Sequence, residues 1–492
     1  MRYTFLAIIT LLTLPLWGQA TDFKVRYEAF LKGDIKIIGN NILNREERRK
    51  SANTPYNDRS GKAKLNDVLN MQYTDVDNDP QTFSSSSASF NNEGAEGGKV
   101  VYAGLYWAAT YPYAAGQLKK DKNTITDNSR QDPSSVLLKI PSKNTYNPVQ
   151  GTLIYDARND EKLKSSSPYV YYADVTTLVA EDNSQGDYTV ANVRATLGQI
   201  EGGSAAGWAL VLVYENANSN VKKIITYDGF AAITNEESKT LTFSGFKTPE
   251  KGAFQTHIMG ATLEGDLNMK DDNVLLSVPA SGQYIALQSK LRPARNFFSS
   301  VIDNDGKIVS TRTPNSENTL GFDIFRLSIE NDKQSLIPNN ASSLDLIYSR
   351  SFDRYYLFLT ALEIENNPKE VPQKVTEIET AKPIAMPLVE VNPTVKPAAN
   401  TPRVKKLQAT DTQRGYYVIV GSFLNINNVE KRVEEMKGFG YDAQVYYNSD
   451  QMLNFIYVAY YDNYQQAAQK VEEVRNRTDI PDPWILDVAN ND

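Results

Sequence analysis

Ala209-Leu210-Val211-Leu212-Val213-Tyr214, entered through Gly207-Trp208 and closed by Glu215, is an apolar run of β-branched and aromatic residues that reads as a β-strand. Two further stretches share its character, Val100-Val101-Tyr102-Ala103-Gly104-Leu105-Tyr106-Trp107 and Tyr355-Tyr356-Leu357-Phe358-Leu359. Clusters of Asn, Asp, Ser and Gly separate such runs and supply the turns between them. Long amphipathic helical periods are scarce before residue 364, with Arg45 to Ser51 the one candidate for a short charged helix. A large all-β module of one or two packed sandwiches over residues 21–363 is the architecture this pattern predicts.

A chain of 492 residues is too long for one ordinary hydrophobic core, so a second folded unit and a linker are expected. At the N-terminus, Arg2, the apolar run Phe5 to Trp17 and the small-residue site Gly18-Gln19-Ala20 read as a signal peptide, residues 1–20. The run is shorter than the ~20 apolar residues of a spanning helix, so no membrane span is expected once the leader is cleaved. There is no cysteine, which removes both a lipoprotein anchor and a disulfide framework. The net charge of −7 is dispersed and leaves no basic stripe, so nucleic acid is not an expected partner.

Residues 364–413 change composition. Pro368, Pro372, Pro383, Pro387, Pro393, Pro397 and Pro402 interrupt Val, Thr, Lys, Glu and Ala without a sustained apolar period, the signature of an extended linker. In polyproline II at ~3.1 Å per residue it would reach on the order of 100 Å. From residue 414 to 492 the periods change to strand, helix, strand, strand, helix, strand. Val418 and Val420 share one strand face, Val429, Val433 and Met436 fall on one helix stripe, and Asn463 precedes a second helix with Ala467, Val471 and Val474 on its apolar side. The expected second unit is a small α+β domain of βαββαβ order with its helices on one face of an open sheet.

Tyr416-Tyr417-Val418-Ile419-Val420-Gly421-Ser422-Phe423, the helix end Gly438-Phe439-Gly440-Tyr441, the strand Ile456-Tyr457-Val458-Ala459-Tyr460-Tyr461 and the closing Pro483-Trp484-Ile485 together resemble a SPOR domain of the Bacteroidota type. The resemblance spans the whole C-terminal module. It implies a periplasmic module whose exposed sheet face holds peptidoglycan glycan strands stripped of their stem peptides. By position it carries the glycan-binding role to Tyr417, Ile419, Ser422, Leu453, Phe455 and Tyr457. This chain departs from the family's pattern at Ile419, where many members have Gln, at Leu453 and Phe455, where others show an aromatic and a basic residue, and at Ala459 in place of Gly. The face is thereby more apolar than usual. Tyr417, Phe455 and Tyr457 can stack on sugar C–H faces, and docking of a protein on the same face is the alternative.

The strings Met71-Gln72-Tyr73-Thr74-Asp75-Val76-Asp77-Asn78-Asp79, Phe83-Ser84-Ser85-Ser86-Ser87, Tyr172-Ala173-Asp174-Val175-Thr176 and Tyr227-Asp228-Gly229-Phe230, with the strand runs quoted above, are similar to the β-rich N-terminal module of secreted surface proteins and gliding adhesins of Bacteroidota. That similarity covers roughly residues 34–363. It implies adhesion or envelope assembly linked to type IX secretion, with no catalytic site to carry over. Asp75, Asp77 and Asp79 alternate as three carboxylates can around calcium, although a solvated acidic turn ending at Asp79-Pro80 is the favoured reading, and no other cofactor is expected. Asp303-Asn304-Asp305-Gly306 reads as a hairpin turn. His257 is the only histidine, and no Gly-x-Ser-x-Gly elbow occurs, so nucleophilic and zinc chemistry lack material. Glu215 and Asp228 flank strands, where carboxylates ordinarily meet turns or solvent. The expectation is a non-enzymatic periplasmic scaffold whose partners are denuded glycan strands and an envelope or outer-membrane protein complex. A surface adhesin and a peptidoglycan-remodelling enzyme are the alternatives.

Overall fold

The computed structural model describes residues 22–77, 79–92, 98–120, 122–183, 185–233, 238–270, 272–278, 283–329, 331, 336–350, 354–371, 404–408, 415–423, 426–448, 453–477 and 483–489. The expected leader, 1–20, lies outside them, as does most of the expected linker. The chain divides into two compact units, Met1–Thr380 and Ala381–Asp492.

The first unit is β-rich throughout and is organised around one long strand, Lys24–Asn41. Its first half, Lys24 to Lys32, pairs with Val221–Ile233, and its second half, Gly33 to Asn41, pairs with Ala206–Glu215. The change of partner falls at Gly33, where a Cβ would stand 2.4 Å from the Tyr214 carbonyl oxygen and 2.6 Å from the Leu31 side chain. A strand that switches sheets at a bend is the usual way to make a corner. One inner sheet runs from this corner through Ala206–Glu215, Val100–Thr110, Pro168–Asp174 and Thr152–Asp156. The other runs through Val221–Ile233, Tyr355–Glu365, Thr256–Gly265 and Gly321–Ser328 to the hairpin Ile302–Asn304/Lys307–Ile308.

The two-residue period then assigns the layers. Trp208, Leu210 and Leu212 pack outward with Phe90, Leu138, Tyr188 and Val190 of a second sheet built on Ser85–Phe90 and Gly186–Ala191. Ala209, Val211 and Val213 pack the other way, against Met259, Ala261, Phe358 and Ala361 of the opposite inner sheet. That sheet's far side, with Leu357, Leu362 and Ile364, meets Leu344, Leu346 and Val274 of an outer sheet containing Ser343–Arg350 and Asp272–Val278. The described β layers therefore stack four deep, with the two halves of one eleven-stranded sheet between the two outer sheets. Trp107 and Trp208 are fully buried with their indole N–H groups donating to the Pro133 carbonyl at 2.8 Å and to the Ser86 hydroxyl at 2.9 Å.

Three local expectations change and one, a hairpin turn, holds. Arg45 to Ser51 is not helical: Arg45 ends a strand, and its buried guanidinium donates to the Asn44 side chain and the Thr54 carbonyl, which fixes the segment as a turn. The hairpin turn at Asp303 to Gly306 is present, with Asp305 at φ 50° and Gly306 at φ 71°. The boundary at 363/364 cuts a strand, because Tyr355–Glu365 continues past it and a single turn, Pro368–Glu370, follows with the Asn367 side chain accepting from Lys369 N–H. Within the range assigned to the linker, Val404–Gln408 is a strand paired parallel to Trp484–Ala489.

In the second unit the strands Gly415–Phe423, Gln444–Asn448, Leu453–Tyr461 and Trp484–Ala489 join Val404–Gln408 in one sheet, with helices Ile426–Gly438 and Tyr464–Arg477 between them in sequence. The helix start at Ile426 lies just ahead of Asn427 and Asn428. Val429 and Met436 from one helix and Ala467, Val471 and Val474 from the other are buried on Val418, Val420, Ile456 and Ile485. The Asn463 side chain accepts from Gln465 N–H at 2.8 Å and caps the second helix.

Candidate functional site

The candidate site is the sheet face of the second unit turned away from the helices. In Gly415–Phe423 the strand period sends Val418 and Val420 to the helices and Tyr417 and Ile419 to this face. The neighbouring strand would lose phase over its length, but the register passes from Val418↔Ala459 to Ile419↔Tyr457, leaving Val458 as an extra residue. That bulge keeps Phe455, Tyr457 and Tyr460 together on the face. Tyr446, Trp484, Leu486 and Val488 complete it from the remaining strands.

The rings form a connected array. Tyr417 stands edge-on to Tyr457 and tilted to Tyr460, each at 5.0 Å between centroids, and is stacked with Tyr446 at 6.4 Å. Phe455 continues the array to Tyr446 at 6.1 Å and Trp484 at 5.9 Å. Burial among these neighbours pushes the Tyr417 phenol up to about 12, with Tyr457, Tyr460 and Tyr446 adding to the shift, so it is neutral at any physiological pH. The side chains of this hydrophobic cluster are phenols, a phenyl, an indole and aliphatics, and the Tyr460 hydroxyl donates to Asp462 at its edge. Such a set offers apolar surface and hydroxyls to a ligand.

Of the residues expected here, Tyr417, Ile419, Phe455 and Tyr457 do share the face. The side chains of Ser422 and Leu453 lie outside those described. One expectation changes: the face is not open at its centre, since Ile419 and Phe455 are 0% exposed and Tyr417 is 5% exposed. Tyr446 and Tyr457 are only partly buried, and Tyr446, Tyr460 and Trp484 were not singled out from sequence. For Tyr446 and Trp484 the alternation with helix-facing residues was the available signal.

No family model matches the chain, and no curated protein matches it. Among solved structures, PNGase F, a glycosylasparaginase from Flavobacterium meningosepticum, is similar at 9% identity over 68% of this chain and 96% of that one, with a TM-score of 0.17. At that score the likeness carries no conclusion.

Elsewhere the polar residues read from sequence are built into the β module. Asp75 accepts from the Ser85 hydroxyl at 2.9 Å, Asp79 from Gln81 N–H at 2.9 Å, and Asp77 from Asp79 N–H, the Thr82 hydroxyl and the Tyr146 hydroxyl. Asn78, in the middle of this loop, lies outside the described residues. Among the described residues no three acidic, His or Cys side chains gather closely enough to hold a metal ion. His257 is buried with Nδ1 2.7 Å from Glu363, which also pairs with Lys222 at 3.0 Å and accepts from Ile35 N–H at 2.9 Å. Burial alone would raise the Glu363 carboxyl, but His257, Lys222 and that amide hold it down at about 2.

Asp228 corrects the reading of a strand-end carboxylate. It sits inside Val221–Ile233, fully buried, accepting from Arg26 Nε at 2.6 Å and from the Tyr106 hydroxyl at 3.1 Å. Its partner lies 202 positions away in sequence, beyond the reach of any local pattern. Glu215 remains a solvent-facing strand end.

Proposed function

We propose that this chain is a non-enzymatic cell-envelope scaffold whose C-terminal unit, a SPOR-like βαββαβ domain, docks on denuded peptidoglycan glycan strands in the periplasm. In this reading the preceding segment supplies reach, and the β module engages an envelope or outer-membrane protein complex of the kind used in gliding or type IX secretion. The observation that carries it is the ring array of Tyr417, Tyr446, Phe455, Tyr457, Tyr460 and Trp484 on the one sheet face that the helices leave uncovered. Aromatic rings present an apolar body to the C–H face of a pyranose, and their hydroxyls reach its polar rim.

The test is co-sedimentation of the full chain with purified sacculi before and after an amidase removes the stem peptides. Pelleting that rises with stripping is the expected result. Equal pelleting with both preparations, or none, would overturn glycan docking and leave a protein as the occupant of the face.

A further inference from the structure

Between the layers of the β module lies a cleft of about 470 Å³. One wall is the second half of the long first strand, residue by residue from Asp34 to Gly39. The others come from Ser89 and Asn91, from the hairpin at Ile302 to Asn304 with Val309 and Thr311, and from Ile324 to Arg326. A volume of this size at an interface between folded layers is typical of ligand sites.

The wall made by the first strand is a sheet edge. Asn216 N–H donates to the Lys32 carbonyl, and Ile42 N–H donates to the Ala206 carbonyl, each at 3.0 Å. Even-numbered residues of this stretch therefore turn their main chain toward Ala206–Glu215, and odd-numbered residues turn it the other way. Ile35 N–H, on the outward side, is taken by the Glu363 carboxylate at 2.9 Å. The outward N–H and C=O of Ile37 and Gly39 have no protein partner among the described residues. Proteins ordinarily blunt such an edge with charges, proline or a covering element, because it is a template for another strand. Here it is kept inside a cleft, where only a slender chain can reach it.

We propose that this cleft binds an extended peptide segment, which adds as a strand to the outward edge of residues 34–39. Donors and acceptors spaced two residues apart, ~7 Å along a strand, match the main chain of a β-strand and no other common ligand. The walls define its side chains. Ile37, Val309 and Ile324 form an apolar side, while Ser89, Asn91 and Thr311 form a polar one, so the segment alternates apolar and hydroxylic residues. Asp34 and Asp303 also line the cleft but are neutralised by Lys222 and Arg292, so an acidic residue in the segment meets no uncompensated anion. Such a segment gives the β module a protein partner through a mode independent of the wall-docking face, and either can fail alone.

The test uses the full chain and three fluorescein-labelled hexapeptides, alternating Thr with Val, Ile or Phe, followed by fluorescence anisotropy. Saturable binding by at least one is expected, with at least a tenfold loss when that peptide is N-methylated at alternate residues in one of the two phases. Exchange of the amides in the segment 34–39 should slow in the complex. Thr311→Trp, at an exposed position, should fill the cleft and abolish binding with an unchanged circular dichroism spectrum, and Asn304→Trp serves the same purpose if that variant misfolds. No saturable binding by any of the three, or binding that survives both N-methylation phases or a folded cleft-filling variant, overturns the proposal.

Discussion

The two units are held together by different chemistry. The interior of the β module carries ionised groups: Arg292 is fully buried, and its five N–H donors are all used, on Asp303 at 2.6 Å, Asp323 at 2.9 Å and the carbonyls of Phe297, Val301 and Ile324. Lys222 with Asp34 and Glu363, and Arg26 with Asp228, repeat the arrangement. In the C-terminal unit both clusters behind and in front of the sheet are apolar or aromatic, and the ion pairs among its described residues lie along helix surfaces, such as Lys470 with Glu473. The difference teaches what layering permits. Four stacked layers create interior positions where several strands converge on one guanidinium, whereas a single sheet with helices on one side has only a surface on which to place charge.

The largest effects should come from breaking the core of each unit. Arg292→Met leaves Asp303 and Asp323 without their partner and should cost about 3–5 kcal/mol, read as a lowered denaturation midpoint of the β module alone. Phe455→Ala removes a fully buried ring from the C-terminal unit and should cost a comparable ~3–5 kcal/mol there, leaving the β module unchanged. Equal effects on both transitions would erase the comparison.

A smaller and more specific contrast lies in pH. Burial pushes the Glu264 carboxyl up to about 7 from its ordinary 4.5, with Arg354 and Asn66 only partly offsetting it. Glu264 therefore keeps a proton that the unfolded chain gives up, and stability from this group is lost as pH rises from 4.5 to about 7, on the order of 3 kcal/mol. Glu363 runs the opposite way. Its stabilisation is complete above pH 4.5 and is lost as pH falls toward about 2. The β module's midpoint, as far as these two groups set it, should be highest near pH 4.5. Glu264→Gln should flatten the alkaline slope alone, as urea titrations from pH 4 to pH 8 would record, and an unchanged slope would remove Glu264 from the account. The smallest effect is at the helix surface: Lys470→Ala should leave the C-terminal midpoint unchanged within the scatter of repeats, because its partner is half exposed and screened.

Local periodicity made much of this architecture legible. The strand runs around Trp107, Trp208 and Phe358 are the inner sheets, and Val429, Met436, Ala467, Val471 and Val474 are buried as their spacing implies. What escaped depended on distance along the chain. Asp303 lies in the hairpin strand just before the turn and is also a buried partner of Arg292, a role that required knowing which strand folds beside it. Asp228 and Arg26, 202 positions apart, show the same limit. In the candidate site the sequence placed Tyr417, Phe455 and Tyr457 on a common face. It missed Tyr460, because the bulge at Val458 changes the alternation, and it took Phe455 for a surface ring although its neighbours cover it.

The central claim rests on the rings at the rim of that face. The most direct measurement is pelleting of the full chain carrying Tyr446→Ala and Tyr457→Ala with amidase-stripped sacculi, beside the unsubstituted chain and with folding checked by circular dichroism. The account predicts at least a tenfold loss of affinity in a protein that remains folded, whereas undiminished pelleting of the folded double variant would contradict it.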